Sequence, residues 1–156
     1  MKTHVTRMLR AMAWADQQVL AAINDSPDAP SDALKLLAHL LAAEHVWLAR
    51  LRQQEPTHPV WPQLDMAACK SLAVENALGY SEYVAKLSDD GLVAPIRYRN
   101  SKGDEFVNSA IDILTQVVTH GAYHRGQIAK VLGGAGVPAV STDFITYVRS
   151  VEPAGT

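Results

Sequence analysis

Apolar residues recur at steps of three and four positions in four long segments of the chain, and this periodicity constrains the fold more than any other feature. Such steps keep residues on one face of an α-helix, so each segment predicts an amphipathic helix. Four such helices can bury their apolar faces together, which favours an all-α fold, and specifically an antiparallel four-helix bundle. The periodic segments span residues 5–23, 34–51, 69–87 and 111–132.

Residues that start and stop helices lie at the ends of these segments. Ser31 and Asp65 precede the second and third segments and can act as N-caps. The fourth helix is expected to begin at about Ser109 and to stop at Gly133 and Gly134, since glycine is common just beyond helix C-termini.

Between the third and fourth segments the pattern changes. Apolar and polar residues alternate in residues 92–107 around the turn-forming residues 100–104, which predicts a short hairpin before the fourth long helix. Thr142 or Asp143 can begin a short C-terminal helix that contains Phe144.

The composition excludes several classes of protein. The chain has 156 residues and no internal repeat or linker-like tract, so a single domain covering residues 1–156 is expected. Fourteen Lys and Arg against sixteen Asp and Glu give a formal charge of −2, without the basic excess of a nucleic-acid-binding protein. Arg7 and Arg10 interrupt the N-terminal segment before a signal-peptide core forms, and no apolar run reaches the roughly 20 residues that span a bilayer. With Cys69 as its single cysteine and hence no internal disulfide, the protein is expected to be soluble and cytoplasmic.

His120 and His124 form the most informative short pattern. They stand four residues apart on the fourth predicted helix, so their side chains project from one face and can bind the same metal ion. On a helical wheel both lie within about 70° of the apolar stripe. Two neutral imidazoles shielded from water need partners, which either a divalent ion or ordinary hydrogen bonds can supply. The pair alone leaves both interpretations open, and a third ligand would decide between them.

The second predicted helix offers His39 and His45 as third ligands. Each lies about 120° from the centre of the apolar stripe, on opposite flanks, so periodicity does not choose between them. Two small residues, Ala42 and Ala43, lie on the flank of His39 and would let another helix approach. Arg52 lies on the flank of His45, which suggests that His45 faces solvent. His4, near the N-terminus, and His58, in a proline-rich loop, are expected to be exposed.

Several longer segments resemble the DinB/YfiT-like family of bacterial metal-binding four-helix bundles, which shares only a name with the DinB polymerase. The similar segments occur in the family's order over nearly the whole chain. They are LLAHLLAAEHVWLARL, IRYRNSKGDEF, DILTQVVTHGAYHRGQIAKVL and TDFITYVR.

Two family motifs carry site residues. The HxxxHRGQ element matches residues 120–127 without gaps, and the family's ligand on the second helix, followed by an acidic residue and a tryptophan, matches His39 with Glu44 and Trp47.

The resemblance therefore implies a metal site made of His39, His120 and His124, while the role of His45 stays open. Many relatives carry another histidine directly before the last ligand, where this chain has Tyr123. This departure leaves the three ligands intact but can alter the residues around them.

The resemblance also implies a divalent-metal-dependent enzyme with no catalytic residue beyond the ligands. Three imidazoles leave the ion an open position for a low-molecular-weight thiol or water. Characterised relatives include transferases and isomerases that use such thiols, so a thiol-dependent S-transferase is the leading hypothesis. Cys69 lies on an apolar stripe and is interpreted as a core residue, not a nucleophile. Zinc or nickel is expected, with iron as a further candidate.

The alternative is a non-catalytic bundle in which the metal pins the helices, as in a stress-response protein or binding module. A metal site that reaches solvent would favour the enzyme. The resemblance further implies a homodimer, and a small-molecule substrate is expected. The charge balance and the lack of a long apolar run argue against a nucleic-acid or membrane partner.

Three further residues have secondary roles in this interpretation. Gln127 lies beside His120 on the wheel and can orient a ligand or a bound water, with Tyr123 and Glu44 as weaker candidates. Arg125 is expected to pair with a carboxylate or cap a surface, and Gly126 to allow close helix packing.

Overall fold

The computed structural model describes residues 1–138 and 140–151, and the chain in these ranges is mainly helical with one small sheet. The predominance of helix expected from the sequence is confirmed. Among the residues that the structure describes, none of the helices has the apolar length of a membrane span. The elements are α1 (Lys2–Asn24), α2 (Ser31–Leu51), α3 (Met66–Lys86), α4 (Asp89–Val93), β1 (Pro95–Arg99), β2 (Glu105–Ser109), α5 (Ala110–Gly134) and α6 (Phe144–Ser150).

The helix starts follow the predicted caps with one exception. The Asp65 side chain accepts a hydrogen bond from Ala68 N at 2.8 Å and caps α3 as predicted. Ser109 caps α5 in a reciprocal capping box with Asp112. The cap predicted at Ser31 is wrong, because Ser31 is already the first helical residue of α2 and no side chain caps this helix.

A short helix and a hairpin connect α3 to α5. Helix α4 was not predicted; it has five residues and depends on Ser88, whose hydroxyl accepts from Gly91 N at 3.0 Å. Strands β1 and β2 pair antiparallel with Tyr98 opposite Phe106. The hairpin is held on α2 by Trp47, whose ring contacts that of Tyr98 with centroids 5.3 Å apart.

Helices α1 and α2 each pack against both α3 and α5. Contact between α2 and α3 is close at Gly79, where a Cβ would lie 2.4 Å from a methyl carbon of Leu48. The apolar core consists of two clusters along the helices. One contains Val19, Ile23, Leu37, Leu41, Leu72, Ile128 and Leu132, and the other contains Leu9, Met12, Leu48, Tyr80, Val84, Ile113 and Val117.

Between the two apolar clusters the helices bury polar residues. Asp16 follows Met12 on α1, Glu44 precedes Leu48 on α2, and each is at most 3% exposed. Asn76 on α3 and Arg125 on α5 are buried at the same level of their helices. We refer to Asp16, Glu44, Asn76 and Arg125 as the buried polar layer.

Candidate metal centre

His39, His120 and His124 come together where α2 packs against α5. One ring nitrogen from each lies within 4.8 Å of the other two. The Nε2 atom of His124 is central, at 3.2 Å from Nε2 of His39 and 3.1 Å from Nε2 of His120. The structure thus brings together the three histidines that the sequence and the family resemblance singled out.

The loop between α2 and α3 fixes the position of His39. The carbonyl oxygen of Val60 accepts a hydrogen bond from Nδ1 of His39 at 2.8 Å. The indole of Trp61 stacks on the imidazole with ring centroids 3.6 Å apart and planes 8° from parallel. These contacts leave Nε2 of His39 directed at the two histidines of α5.

Gln127 holds the imidazole of His124 in position. It lies three residues after His124 on α5, so its side chain reaches the same face. Its Oε1 accepts a hydrogen bond from Nδ1 of His124 at 2.7 Å. Gln127 thus orients an imidazole, which is the kind of role the sequence suggested for it.

These two hydrogen bonds determine where the ring protons are. A neutral imidazole has one N–H and one lone pair, and a carbonyl oxygen can only accept. His39 and His124 therefore carry their protons on Nδ1 and present Nε2 lone pairs to each other at 3.2 Å. His120 can donate only one proton from its Nε2, so at least one of these lone pairs faces no donor within the cluster. A bound cation removes this conflict.

Two of the three rings are neutral at physiological pH. Burial, followed by the neighbouring His124 and His39, lowers the pKa of His120 to about 4. Burial likewise lowers the pKa of His39, against a smaller opposing effect of its hydrogen bond to Val60. These two rings therefore keep their lone pairs free at neutral pH, as metal ligands must.

The spacing of the nitrogens suits a first-row metal ion. A tetrahedral ion with metal–nitrogen bonds of about 2.0–2.1 Å holds its nitrogens about 3.4 Å apart. The two separations from His124 Nε2, 3.2 and 3.1 Å, need only small side-chain movements to reach that value. The donor set, the spacing and the hydrogen-bonded Nδ1 atoms thus all fit a divalent ion held by three imidazoles.

The remaining histidines lie elsewhere. Nε2 of His45 accepts a hydrogen bond from Thr57 N at 3.2 Å, and its ring contacts that of His58. Both are half-buried, so the expectation that they are solvent-exposed is wrong, because the loop after α2 folds back over this flank of the helix. His4 is exposed, as expected.

Tyr123 is 64% exposed and its ring lies against that of His124, with centroids 5.2 Å apart. Together with the half-buried His120 and the exposed Trp61, it borders the side of the cluster that faces solvent.

A second polar arrangement, the buried polar layer, was not identified from the sequence as a unit. Arg125 Nη1 donates to Asp16 Oδ1 at 2.8 Å, and both side chains are 4% exposed. Glu44 Oε2 accepts from Asn76 Nδ2 at 3.4 Å, and Tyr80 donates to the backbone oxygen of Glu44 at 2.6 Å. Arg125 thus pairs with a carboxylate as expected, whereas the described contacts of Glu44 lie in this layer and not at the histidines.

The layer contains two carboxyl groups and a single guanidinium. Burial raises the pKa of Glu44 well above its ordinary value, and the nearby Asp16 raises it further, against the opposing charge of Arg125. Glu44 Oε1 has no hydrogen-bond partner among the described residues. When Glu44 is protonated, its hydroxyl can donate a hydrogen bond to Asp16. Asp16 is then the single carboxylate that pairs with Arg125.

Two glycines of α5 differ from expectation. The close packing predicted at Gly126 is wrong, since this glycine is exposed and a Cβ there would meet nothing within 4 Å. Gly121 takes that role, because its Cβ would lie 2.9 Å from Arg125 Nη1 and 3.4 Å from Glu44 Oε1.

Cys69 is fully buried in the apolar core, and burial raises its pKa to about 11. A thiol that is both inaccessible and protonated is a poor nucleophile. This agrees with its interpretation as a core residue.

Comparison with known proteins identifies the family. The model of the DinB family matches residues 1–155 of the chain. The protein therefore belongs to the DinB family. Among curated proteins, no sequence matches it.

Proposed function

We propose that His39, His120 and His124 bind one divalent metal ion and that the protein is a metal-dependent enzyme acting on a small molecule. The observation that carries the proposal is the convergence of three Nε2 atoms. Two of them, those of His39 and His124, lie 3.2 Å apart and present lone pairs to each other. Membership of the DinB family supports it. The proposal takes the four long helices as one antiparallel bundle that holds the ligands in place.

The site has the properties of a reaction centre. His39 and His124 are buried, while His120 is half-buried and borders solvent with Tyr123 and Trp61. Three protein ligands leave room for a fourth from outside, whereas structural zinc sites have four protein ligands. This arrangement favours an enzyme over a metal that only pins the helices.

A bound divalent ion would lower the pKa of a thiol or water at the open position, so that a nucleophile is available near neutral pH. The chain's own residues prepare the site for this. Val60 and Gln127 hold the Nδ1 protons of His39 and His124, which fixes the ring orientations and increases the basicity of Nε2. Trp61 covers one face of His39 and excludes water from it.

The reaction that we favour is transfer of a low-molecular-weight thiol to an electrophile, with hydrolysis as the variant in which water takes the place of the thiol. Zinc or nickel is the metal we favour, with iron as a further candidate, because imidazole suits all three. The proposal also includes a homodimer, which the family resemblance favours, and a cytoplasmic location, which the single cysteine favours.

The test is turnover by protein reconstituted with zinc or nickel. Consumption of glutathione, bacillithiol or mycothiol in the presence of an electrophile is followed by Ellman's reagent, with metal-free protein and His120→Ala as controls. Thiol loss that needs both the metal and His120 supports the enzyme. A tightly bound metal that raises the melting temperature without turnover of any thiol or ester would support the non-catalytic, metal-stabilised bundle instead.

A further inference from the structure

A groove of about 800 Å³ lies next to the histidine cluster, between the end of α2, the loop after it and β1. Two of its lining residues, Val60 and Trp61, are those that contact His39. On α2, Val46 and Arg50 follow His39 by seven and eleven residues, which places all three on one face of the helix. The groove therefore extends from the histidine cluster along α2.

The groove is positively charged although the whole chain has a formal charge of −2. Arg50, Arg97 and Arg99 line it, against the single carboxylate of Glu55. Arg99 is already paired with Glu105 on the neighbouring strand. Arg50 and Arg97 make no ion pair and no side-chain hydrogen bond with any residue that the structure describes.

Arg50 is the better defined of these two cations. Its guanidinium lies over the rings of Trp47 and Tyr98, 4.4 and 5.2 Å from their centroids. It is half-buried, and burial lowers its pKa. Cation–π contacts stabilise the charge and restrict its movement but leave the N–H donors free. A planar, pre-positioned guanidinium of this kind suits a carboxylate or a phosphate.

We propose that this groove binds the anionic end of an elongated organic molecule, carboxylate or phosphate in chemistry, whose other end reaches the histidine cluster. This inference rests on the proposed function for that other end. Eleven residues of helix separate the Cα atoms of His39 and Arg50 by about 16 Å, so a two-carbon acid would not connect the two sites. A molecule the size of a tripeptide, about 10 Å when extended, suits the distance left after the arginine side chain.

Binding to metal-free protein tests the groove separately from the metal. Tryptophan fluorescence is followed during titration with S-methylglutathione, a tripeptide with two carboxylates and no free thiol, and with inorganic pyrophosphate. The diethyl ester of S-methylglutathione has the same shape without the carboxylates. The variants are Arg50→Gln and Arg97→Gln, with the exposed Arg149→Gln on α6 as the matched control.

The proposal predicts saturable binding of at least one of the two anions, and which one binds distinguishes carboxylate from phosphate as the preferred group. Affinity should fall about tenfold or more in Arg50→Gln and Arg97→Gln and stay unchanged in Arg149→Gln, because a charged hydrogen bond is lost only in the first two. Arg97 is exposed, so its variant tests the groove even if Arg50→Gln perturbs the hairpin. Circular dichroism checks the fold of each variant.

Three results would overturn the proposal: no binding of either anion, equal binding by all variants, or equal binding of the ester. Failure of the proposed function looks different. Protein that binds the anion but takes up no metal would refute the metal-dependent enzyme and leave the anion groove standing. Protein that takes up metal but binds neither anion would refute the groove alone.

Discussion

The free energy of unfolding of the Glu44→Gln variant should increase relative to that of wild type as the pH rises above about 5. In the folded protein Glu44 is 2% exposed and shares a single guanidinium, that of Arg125, with Asp16. Burial and the charge of Asp16 raise the pKa of Glu44 well above its ordinary value of 4.5. Glu44 is therefore protonated in the folded chain at pH values where it is ionised in the unfolded chain.

The sign of the effect follows from proton linkage. A raised folded-state pKa contributes stability that is fully present below pH 4.5 and is lost as the pH rises toward the folded-state value. Each pH unit in that window costs about 1.4 kcal/mol of the free energy of unfolding for one proton. Gln has the shape and the donor of a protonated Glu but no proton to lose. The variant should therefore gain about 1.4 kcal/mol over wild type per pH unit above 5, or about 3–6 °C in melting temperature, until the folded-state pKa is reached.

The assay is urea unfolding followed by circular dichroism at pH 5, 6 and 7, at constant ionic strength and with a chelator, because metal binding would add its own pH dependence. The exposed Glu55→Gln is the matched control and should follow wild type at each pH. Asp16, Asn76, Tyr80 and Arg125 face Glu44 from α1, α3 and α5 and are unchanged in the variant. A difference between Glu44→Gln and wild type that is independent of pH would show that Glu44 is ionised in the folded protein and that its pKa is not raised.

Three further predictions concern α5 and the core. Gln127→Ala should weaken zinc affinity about 10- to 100-fold, measured by competition with a chromogenic chelator, because the Nδ1 proton of His124 loses its acceptor; an unchanged affinity would contradict this role. Gly121→Ala should lower the free energy of unfolding by about 1–3 kcal/mol, since its Cβ collides with the buried Arg125, whereas Gly126→Ala should raise it by about 0.5–1 kcal/mol; equal effects of the two substitutions would refute the packing described at Gly121. Cys69 should react with Ellman's reagent at pH 8 only after denaturation, because it is buried and its pKa is about 11, so rapid reaction of the native protein would show that the thiol is accessible.

The long helices could be predicted from the sequence because their apolar periodicity is a local pattern. Periodicity alone did not decide between His39 and His45, which lie symmetrically about the apolar stripe of α2, and only the family motif favoured His39. In the structure that choice is made by Val60 and Trp61, which reach His39 from a loop some 20 residues further along the chain. Contacts of this kind leave no periodic signal.

The buried polar layer does leave a signal in the sequence. Asp16 lies four residues after Met12, Glu44 four before Leu48, and Arg125 three before Ile128, all on the core faces of their helices. Charged residues at core positions of three different helices indicate a buried charge network. The short helix α4 had no comparable signal beyond its cap, because five residues are too few to show helical periodicity.

Metal content measures directly whether His39, His120 and His124 bind an ion. Protein expressed without a histidine tag, reconstituted with zinc or nickel and freed of loosely bound metal, is analysed by plasma mass spectrometry beside four histidine variants. We expect about one divalent ion per chain, lost in His39→Ala, His120→Ala and His124→Ala and kept in His45→Ala, because His45 lies outside the cluster. Absence of stoichiometric metal in the wild type, or its retention in the three cluster variants, would contradict this expectation.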